Sequence, residues 1–330
     1  MAIKSMKLEN FTVFENIECE FTSDINIFIG ENGTGKTHLL KVMYAFCCAS
    51  LSHNPLMSEL RSLFKSNPII KEIFIRNTNK PAKLCMSVNG KEYIYDLSIF
   101  SPNTNKEDCV ILEDIYSTFI PAKEMLSIYN ITRIDERFDK ELAIDKSLVN
   151  IIKKAQSMKL SDPPELAKKV ASKLEAIIGG TVFIKQSDLT FWIRKTTGEE
   201  ILFSMEAEGI RKFGLLWQLL MNGSLSSGSV LFWDDPEANI NPKLIPVLVD
   251  VLMELAKNGV QLFLATHEFN LMQYLNLKKK DDDDVSFISF YKDNAGAVSV
   301  ETAEDYTYLE HNPIVEANIK MLKDDYEGVL

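Results

Sequence analysis

Gly30-Glu31-Asn32-Gly33-Thr34-Gly35-Lys36-Thr37 matches the pattern G-x-x-x-x-G-K-[ST], and the residues on either side decide how it is read. Before it, Ile25 to Ile29 is a compact apolar run of strand type; after it, a helix is expected to start at Gly35 or Lys36. Strand, glycine-rich turn and helix in that order make a phosphate-binding loop. The glycines let successive backbone N–H groups turn inward, and the positive end of the helix dipole adds to their field. Asn32, Gly33, Thr34 and Gly35 are expected to wrap the phosphates of a nucleotide. Lys36 is expected to reach its β and γ phosphates, and Thr37 to give its hydroxyl to Mg²⁺. His38 is read as an ordinary helix residue. The pattern arises by chance in a chain of this length on the order of once in a hundred.

Further along, Val230-Leu231-Phe232-Trp233 runs into Asp234-Asp235-Pro236-Glu237, an apolar strand that delivers carboxylates at its C-terminal end, where α/β proteins place their ligands. This is a Walker B pattern. Asp234 is assigned to a magnesium-bound water, and Asp235 to the water that attacks the γ phosphate. The next strand, Val260 to Ala265, ends in Thr266-His267, which puts an imidazole at the same edge of the sheet. Between these strands lies a helix from Lys243 to Lys257, with Leu244, Val247, Leu248, Val251, Leu252 and Leu255 on one face and a stop at Asn258-Gly259. Such a connection implies a parallel, right-handed crossover.

Outward from these motifs, residues 2–21 are expected to form two strands with a turn near Asn16, and Lys83–Val88 and Glu92–Phe100 a hairpin about Asn89-Gly90. Val110–Ile120 reads as a strand. From Leu126 to Ile178 the chain turns helical and charge-rich, with a break at Asp162-Pro163-Pro164 and a stop at Gly179-Gly180. Thr181–Phe203 returns to strands with a turn at Thr197-Gly198, followed by helices at Gly209–Met221 and, near the end, Pro313–Tyr326. The fold class is α/β: a P-loop NTPase with a mixed sheet, a parallel core plus antiparallel N-terminal strands. Residues 1–126 and 181–330 would form the ATPase head and 127–180 a helical insertion or lid.

Composition supports one sizeable core, since 46% of the 330 residues are hydrophobic. The formal charge of −11 excludes a surface that binds nucleic acid indiscriminately and leaves only a local patch, with Lys153-Lys154 and Lys168-Lys169 as candidates. Five cysteines without a C-x-x-C pair argue against a disulfide framework or structural zinc and fit a reducing cytoplasm. No apolar run approaches membrane-spanning length. Lys278–Lys280 followed by Asp281–Asp284 cancels its own charge and reads as a solvated loop.

Asp234 to Pro242, the Thr266-His267 pair and Glu206 to Lys212 together resemble the ABC-type ATPases of the SMC and OLD-like branch, the AAA-family ATPases of bacterial genomes. The resemblance covers roughly 1–45 and 181–275, together with the strand leading to Phe119-Ile120-Pro121-Ala122. It implies a homodimer in which two heads sandwich two ATP molecules with Mg²⁺, each P-loop completed by the partner's signature segment. Glu208 and Gly209 would take the signature place, with Arg211 or Lys212 adding charge and Asn241 in a loop that crosses the interface. Three departures stand out: Asp235 replaces the family's glutamate, with Glu237 a possible catalytic substitute; Ala207 replaces the signature serine; Thr12 stands where a basic residue is usual. Only 63 residues follow His267, too few for the Toprim nuclease that OLD-type relatives append. The role implied by resemblance is an ATPase that senses for, or restrains, a separately encoded nuclease or toxin in anti-phage defence. The rivals are a DNA repair or chromosome-maintenance ATPase, a nucleotide switch without turnover, and a transporter's ATPase subunit.

Overall fold

The computed structural model describes residues 2–64, 76–77, 80–97, 115–124, 126, 145–326 and 328. Strand β3 (Ile25–Gly30) lies inside a six-stranded sheet. Its neighbours are β11 (Gln261–Ala265) and β12 (Val285–Lys292), both parallel to it. Beyond β11 come β10 (Val230–Asp234) and β6 (Ser117–Ile120), also parallel, and β13 (Val298–Ala303) closes the far edge antiparallel to β12. The parallel crossover from β10 to β11 is as expected, through α6 (Ile245–Lys257), on which Val247 is half-buried and Leu248, Val251, Leu252 and Leu255 are buried; Leu244, half-buried, belongs to the short turn before it.

Parallel strands covered on both faces must be apolar on both, and β3 shows why this run is so hydrophobic. Ile25, Ile27 and Ile29 enter one core; Phe28 enters the other. On the Phe28 side lie α1 (Lys36–Ser52), α2 (Leu56–Leu63) and a four-stranded antiparallel sheet ordered β2-β1-β4-β5, made of β1 (Ile3–Phe11), β2 (Phe14–Glu20), β4 (Ala82–Val88) and β5 (Lys91–Leu97). On the isoleucine side lie α3 (Lys146–Gln156), α4 (Glu165–Ile178), α5 (Glu208–Met221), α6, α7 (Phe269–Lys278) and the small sheet β7 (Gly180–Lys185), β8 (Thr190–Lys195) and β9 (Glu200–Leu202). α8 (Pro313–Tyr326) follows β13.

Several local expectations change. The first hairpin turns at Thr12-Val13 rather than near Asn16, which pairs with Glu9 inside the ladder. The buried pair Phe11–Phe14 sets that register, and Asn10 and Thr12 absorb the tight turn with φ of 53° and 50°. The Asn89-Gly90 hairpin forms as expected, both residues at positive φ. Residues 98–100 and 110–114 of two expected strands lie outside the described residues. β12 and β13 were not anticipated: Val285–Phe290 is buried on both faces, so it lacks the alternation that marks a strand. α4 ends at Gly179, whose φ of 68° supplies the left-handed stop.

Candidate functional site

The phosphate loop, the Asp234-Asp235 segment and Thr266-His267 reach the same edge of the large sheet, because β3, β10 and β11 run parallel and end there. The loop after β3 turns into α1 through Gly33 and Gly35, at φ 80° and 95°. A side chain at Gly35 would strike Phe14 and Val13 of the first hairpin at 2.4 and 2.6 Å, so glycine is required for the close approach as well as for the turn. Gly35 caps α1 without a side-chain hydrogen bond, which leaves the first helical N–H groups directed at the loop. Thr34 is fully buried and its hydroxyl donates to the Glu31 carbonyl at 2.8 Å, holding the loop's curvature.

Lys36 is buried, and its ammonium donates to the carbonyls of Gly30 and Glu31 at 2.8 and 2.9 Å. Burial lowers its pKa to about 8, against the opposing pull of Asp235, Asp234 and Glu31. The Thr37 hydroxyl donates to both carboxylate oxygens of Asp234, at 3.1 and 3.0 Å, across 197 positions of sequence. Burial, reinforced by neighbouring Asp235, raises Asp234 to about 6, while Thr37, Lys41 and Lys36 pull it down. A hydroxyl and a carboxylate so placed are hard oxygen donors of the kind Mg²⁺ prefers, and the residues therefore fit that ion. A cavity of about 230 Å³ lined by Asn32, Gly33, Gly35, Lys36, Thr37 and His267, with Val13 and His38, opens over this cluster.

Asp235 is half-buried at φ 46°, a left-handed conformation that aspartate tolerates better than most residues. Lys212, only 2% exposed, fixes it there: its ammonium donates to the Asp235 carbonyl at 2.8 Å. Burial lowers the Lys212 pKa, and Glu237, Asp235, Glu208 and Asp234 oppose the shift. Glu237, two residues on from Asp235 in the same loop, reaches across to the end of β11. Its Oε1 accepts from the Thr266 hydroxyl at 2.6 Å and the His267 N–H at 3.4 Å, while Oε2 is buried without a hydrogen-bond partner. Burial is the largest of the influences that raise Glu237 to about 7. Glu237 thus positions the His267 segment. The His267 pKa is lowered by burial and by Lys36, so the imidazole is neutral at physiological pH.

A raised carboxyl pKa means that the folded state holds the proton more tightly than the unfolded one. The Glu237 charge therefore costs stability above about pH 7, a cost that fades as pH falls toward 4.5. The thermal midpoint of the protein is expected to drop, relative to Glu237→Gln, between about pH 5 and about pH 8. A pH-independent difference between the two would oppose this assignment.

The signature candidates divide. Gly209 lies against the loop after β10, where a β-carbon would meet the Asn239 carbonyl oxygen at 2.6 Å, and half-buried Glu208 opens α5 beside it. The Arg211 guanidinium turns inward, with Nε 2.8 Å from the Glu124 carboxylate and Nη1 donating to the Glu206 and Ser204 carbonyls. Exposed Asn241 caps the short helical turn at Pro242–Leu244. His38 lies edge-on to Phe64 and lines the cavity. Arg76 was missed by the sequence reading: its guanidinium donates to the Val13 carbonyl at 2.8 Å, placing a cation beside the hairpin tip where Thr12 had left none. Nothing local in the sequence links positions 13 and 76.

Lys154 does not contribute to a basic surface; it is largely buried and donates to the Ser117 carbonyl at 2.6 Å. Lys168 pairs with Asp162 and Glu165. Among the described residues Cys19, Cys47, Cys48 and Cys85 are free thiols, no cluster of metal-ligating side chains occurs, and no helix is long and apolar enough to cross a membrane.

Comparison with known proteins gives three findings. Residues 87–273, more than half of the chain, match the family described as "AAA domain, putative AbiEii toxin, Type IV TA system", and residues 1–129 match an "AAA ATPase domain". Among curated proteins, the DNA replication and repair protein RecF of Clostridium kluyveri is 35% identical over 98 residues, 28% of this chain and 26% of that protein. RecF of Oceanobacillus iheyensis is 31% identical over 93 residues, 28% of this chain and 25% of its own length. The chain thus spans about a quarter of these relatives. Among solved structures, an SMC head bound to the C-terminal winged-helix domain of ScpA superposes with a TM-score of 0.56 at 11% identity, covering 92% of this chain and 98% of that one. The Pyrococcus furiosus SMC head bound to the C-terminal domain of ScpA gives 0.55 at 11% identity, covering 98% and 99%.

Proposed function

Because the chain belongs to this AAA-domain family of P-loop ATPases and has the fold of SMC heads, we propose that it binds ATP with Mg²⁺ and hydrolyses it slowly between two copies of itself. The observation that carries this is the meeting of Thr37 with Asp234 at 3.0–3.1 Å beside a buried lysine and an uncapped helix N-terminus.

The residues divide the work. The N–H groups of 32–37 and Lys36 bind and orient the phosphates. Thr37 and Asp234 hold Mg²⁺, which when bound neutralises charge on the β and γ oxygens. Asp235, fixed by Lys212, orients the attacking water or takes its proton; Glu237 keeps His267 facing the γ phosphate. Glu208 and Gly209 of a second head would complete the site, and Arg211 keeps that segment in place through Glu124.

This closure regulates a separately encoded effector, a nuclease or toxin, in bacterial anti-phage defence, within the cytoplasm. The family's own description, which refers to the AbiEii toxin of a type IV toxin–antitoxin system, supports a toxin–antitoxin setting for this closure. The RecF matches favour a second reading, an ATPase of DNA repair that meets nucleic acid through a local patch. Residues 127–180 remain, in this reading, an insertion; α3 and α4 share a core with α5.

The test is steady-state ATP hydrolysis with Mg²⁺ over a range of protein concentrations, with Lys36→Ala as the blank. Specific activity that rises with concentration is expected from a composite site. Constant specific activity would remove the dimer, and none above the blank would leave a nucleotide switch. Asp235→Glu lengthens the carboxylate by one methylene and is expected to raise turnover several-fold. An unchanged or lower rate would argue that Asp235 is not at the catalytic position.

A further inference from the structure

His38 follows directly on Thr37, yet none of the roles at the site falls to it. It is half-buried on α1 and lines the cavity over Lys36 and Thr37. Aromatic contacts hold it there. Its ring meets Phe64 edge-on with centroids 5.3 Å apart, and Phe64 meets Phe11 of the first hairpin edge-on at 6.3 Å. The Lys41 ammonium stands 5.6 Å from the centroid of the same Phe64 ring.

What the imidazole lacks is a polar neighbour. Its Nδ1 is buried with no hydrogen-bond partner, whereas a histidine that serves only the core normally spends its nitrogens on the groups around it. A buried N–H is left orphaned more rarely than a buried acceptor, so the neutral ring carries its proton on Nε2. That nitrogen is then a donor for whatever enters the cavity.

The layout of the cavity says what arrives there. Asn32 and His267 are shared with a neighbouring cavity of about 440 Å³ that Val13 and His38 do not border, so His267 marks one end and the Val13–His38 pair the other. A polyphosphate chain whose γ group faces His267 therefore runs toward His38, and the phosphate that reaches it is the one bearing the nucleoside. At about 230 Å³ the cavity falls short of the roughly 300–1,000 Å³ of an ordinary ligand pocket. It takes the phosphates and leaves the nucleoside outside, with His38 at the boundary.

We propose that His38 is a nucleotide-binding residue whose Nε2–H donates to the α phosphate, and that this contact lets the site tell a nucleotide from pyrophosphate, which fills only the positions under Lys36 and Thr37. The inference rests on the reading of residues 32–37 as a nucleotide loop and adds to it the residue that senses the nucleoside end.

The test is calorimetric titration of the full chain, with Mg²⁺, against ADP, a non-hydrolysable ATP analogue and pyrophosphate. His38→Ala is expected to weaken both nucleotides by about tenfold or more, the worth of one hydrogen bond to a charged group, and to change pyrophosphate by less than about twofold. His38→Gln, which offers an N–H at similar reach, is expected to recover most of the nucleotide affinity. Unchanged nucleotide affinity in His38→Ala overturns the assignment. So does an equal loss for pyrophosphate, the mark of a distorted loop, or a glutamine variant that binds no better than alanine, the mark of a ring that only packs on Phe64. If the natural chain binds neither nucleotide, the nucleotide reading fails and this inference with it.

Discussion

Lys36→Ala is expected to weaken ATP binding by about 10²-fold or more, because removing one partner of a buried charge pairing costs about 3–5 kcal/mol and each 1.4 kcal/mol or so is a factor of ten. The loss has two parts. The ammonium is the buried cation of the loop, and it is also the clasp that joins the Gly30 and Glu31 carbonyls. The lowered pKa of about 8 adds a pH signature. Folding disfavours the charged form, so this lysine costs stability below about pH 8, and the cost is relieved as pH rises toward 10.5. An anionic phosphate reverses the preference, so ATP affinity is expected to fall above about pH 8 in the natural protein and to lose that dependence in the variant. Equilibrium titration with a fluorescent ATP analogue reads both effects. Full affinity in Lys36→Ala would sink the phosphate-loop assignment.

Asp234→Asn is expected to lower Mg²⁺-dependent turnover by about 10²-fold or more while ATP binding without metal is kept. The amide retains the size of the carboxylate and its contact with Thr37, but it lacks the charge that a hard cation requires. In the natural protein the Asp234 pKa of about 6 lies above the unfolded value of 3.8, so its charge costs stability above about pH 6 and that cost fades as pH falls toward 3.8. Metal affinity follows the opposite course and is expected to weaken as pH falls through about 6. The asparagine variant is therefore expected to have an equal or higher thermal midpoint near neutral pH in the absence of metal, together with lost turnover. A variant that keeps Mg²⁺-dependent turnover would exclude Asp234 from metal binding.

The parts of the site that could be read from sequence are those whose chemistry is local. Gly30 to Thr37 carries its own turn, helix start and lysine, and Val230 to Asp235 announces a buried strand ending in acid. What escaped depends on distance. Lys212 and Arg211 are adjacent cations at the start of one helix, yet one reaches inward to the Asp235 carbonyl and the other to Glu124. Helical geometry turns neighbours by about 100°, and only the packing of α5 on the loop after β10 decides which one meets Asp235. Arg76 reaches Val13 through tertiary contact alone. The first hairpin was placed wrongly because asparagine is a favoured turn residue, whereas the burial of Phe11 and Phe14 fixed the register. β12 was hidden because a strand covered on both faces has no alternation to read.

The position of β3 also sets an order of events at the ribosome. The strand that launches the phosphate loop ends at Gly30, whereas its two partners in the sheet begin only at Gln261 and Val285. A β-carbon at Gly30 would meet the Phe290 carbonyl oxygen at 2.2 Å, so the loop's first residue is seated directly on the later of these strands. Until β11 and β12 have been made, the nascent chain carries Ile25–Ile29 without either of its sheet partners, the kind of segment that chaperones shield and that aggregates when left open. Nucleotide-binding competence therefore arrives late and at once, when β12 slides in beside β3. A ribosome stalled after Thr37 but before β12 yields a polypeptide with the entire P-loop motif and an unfinished sheet beneath it.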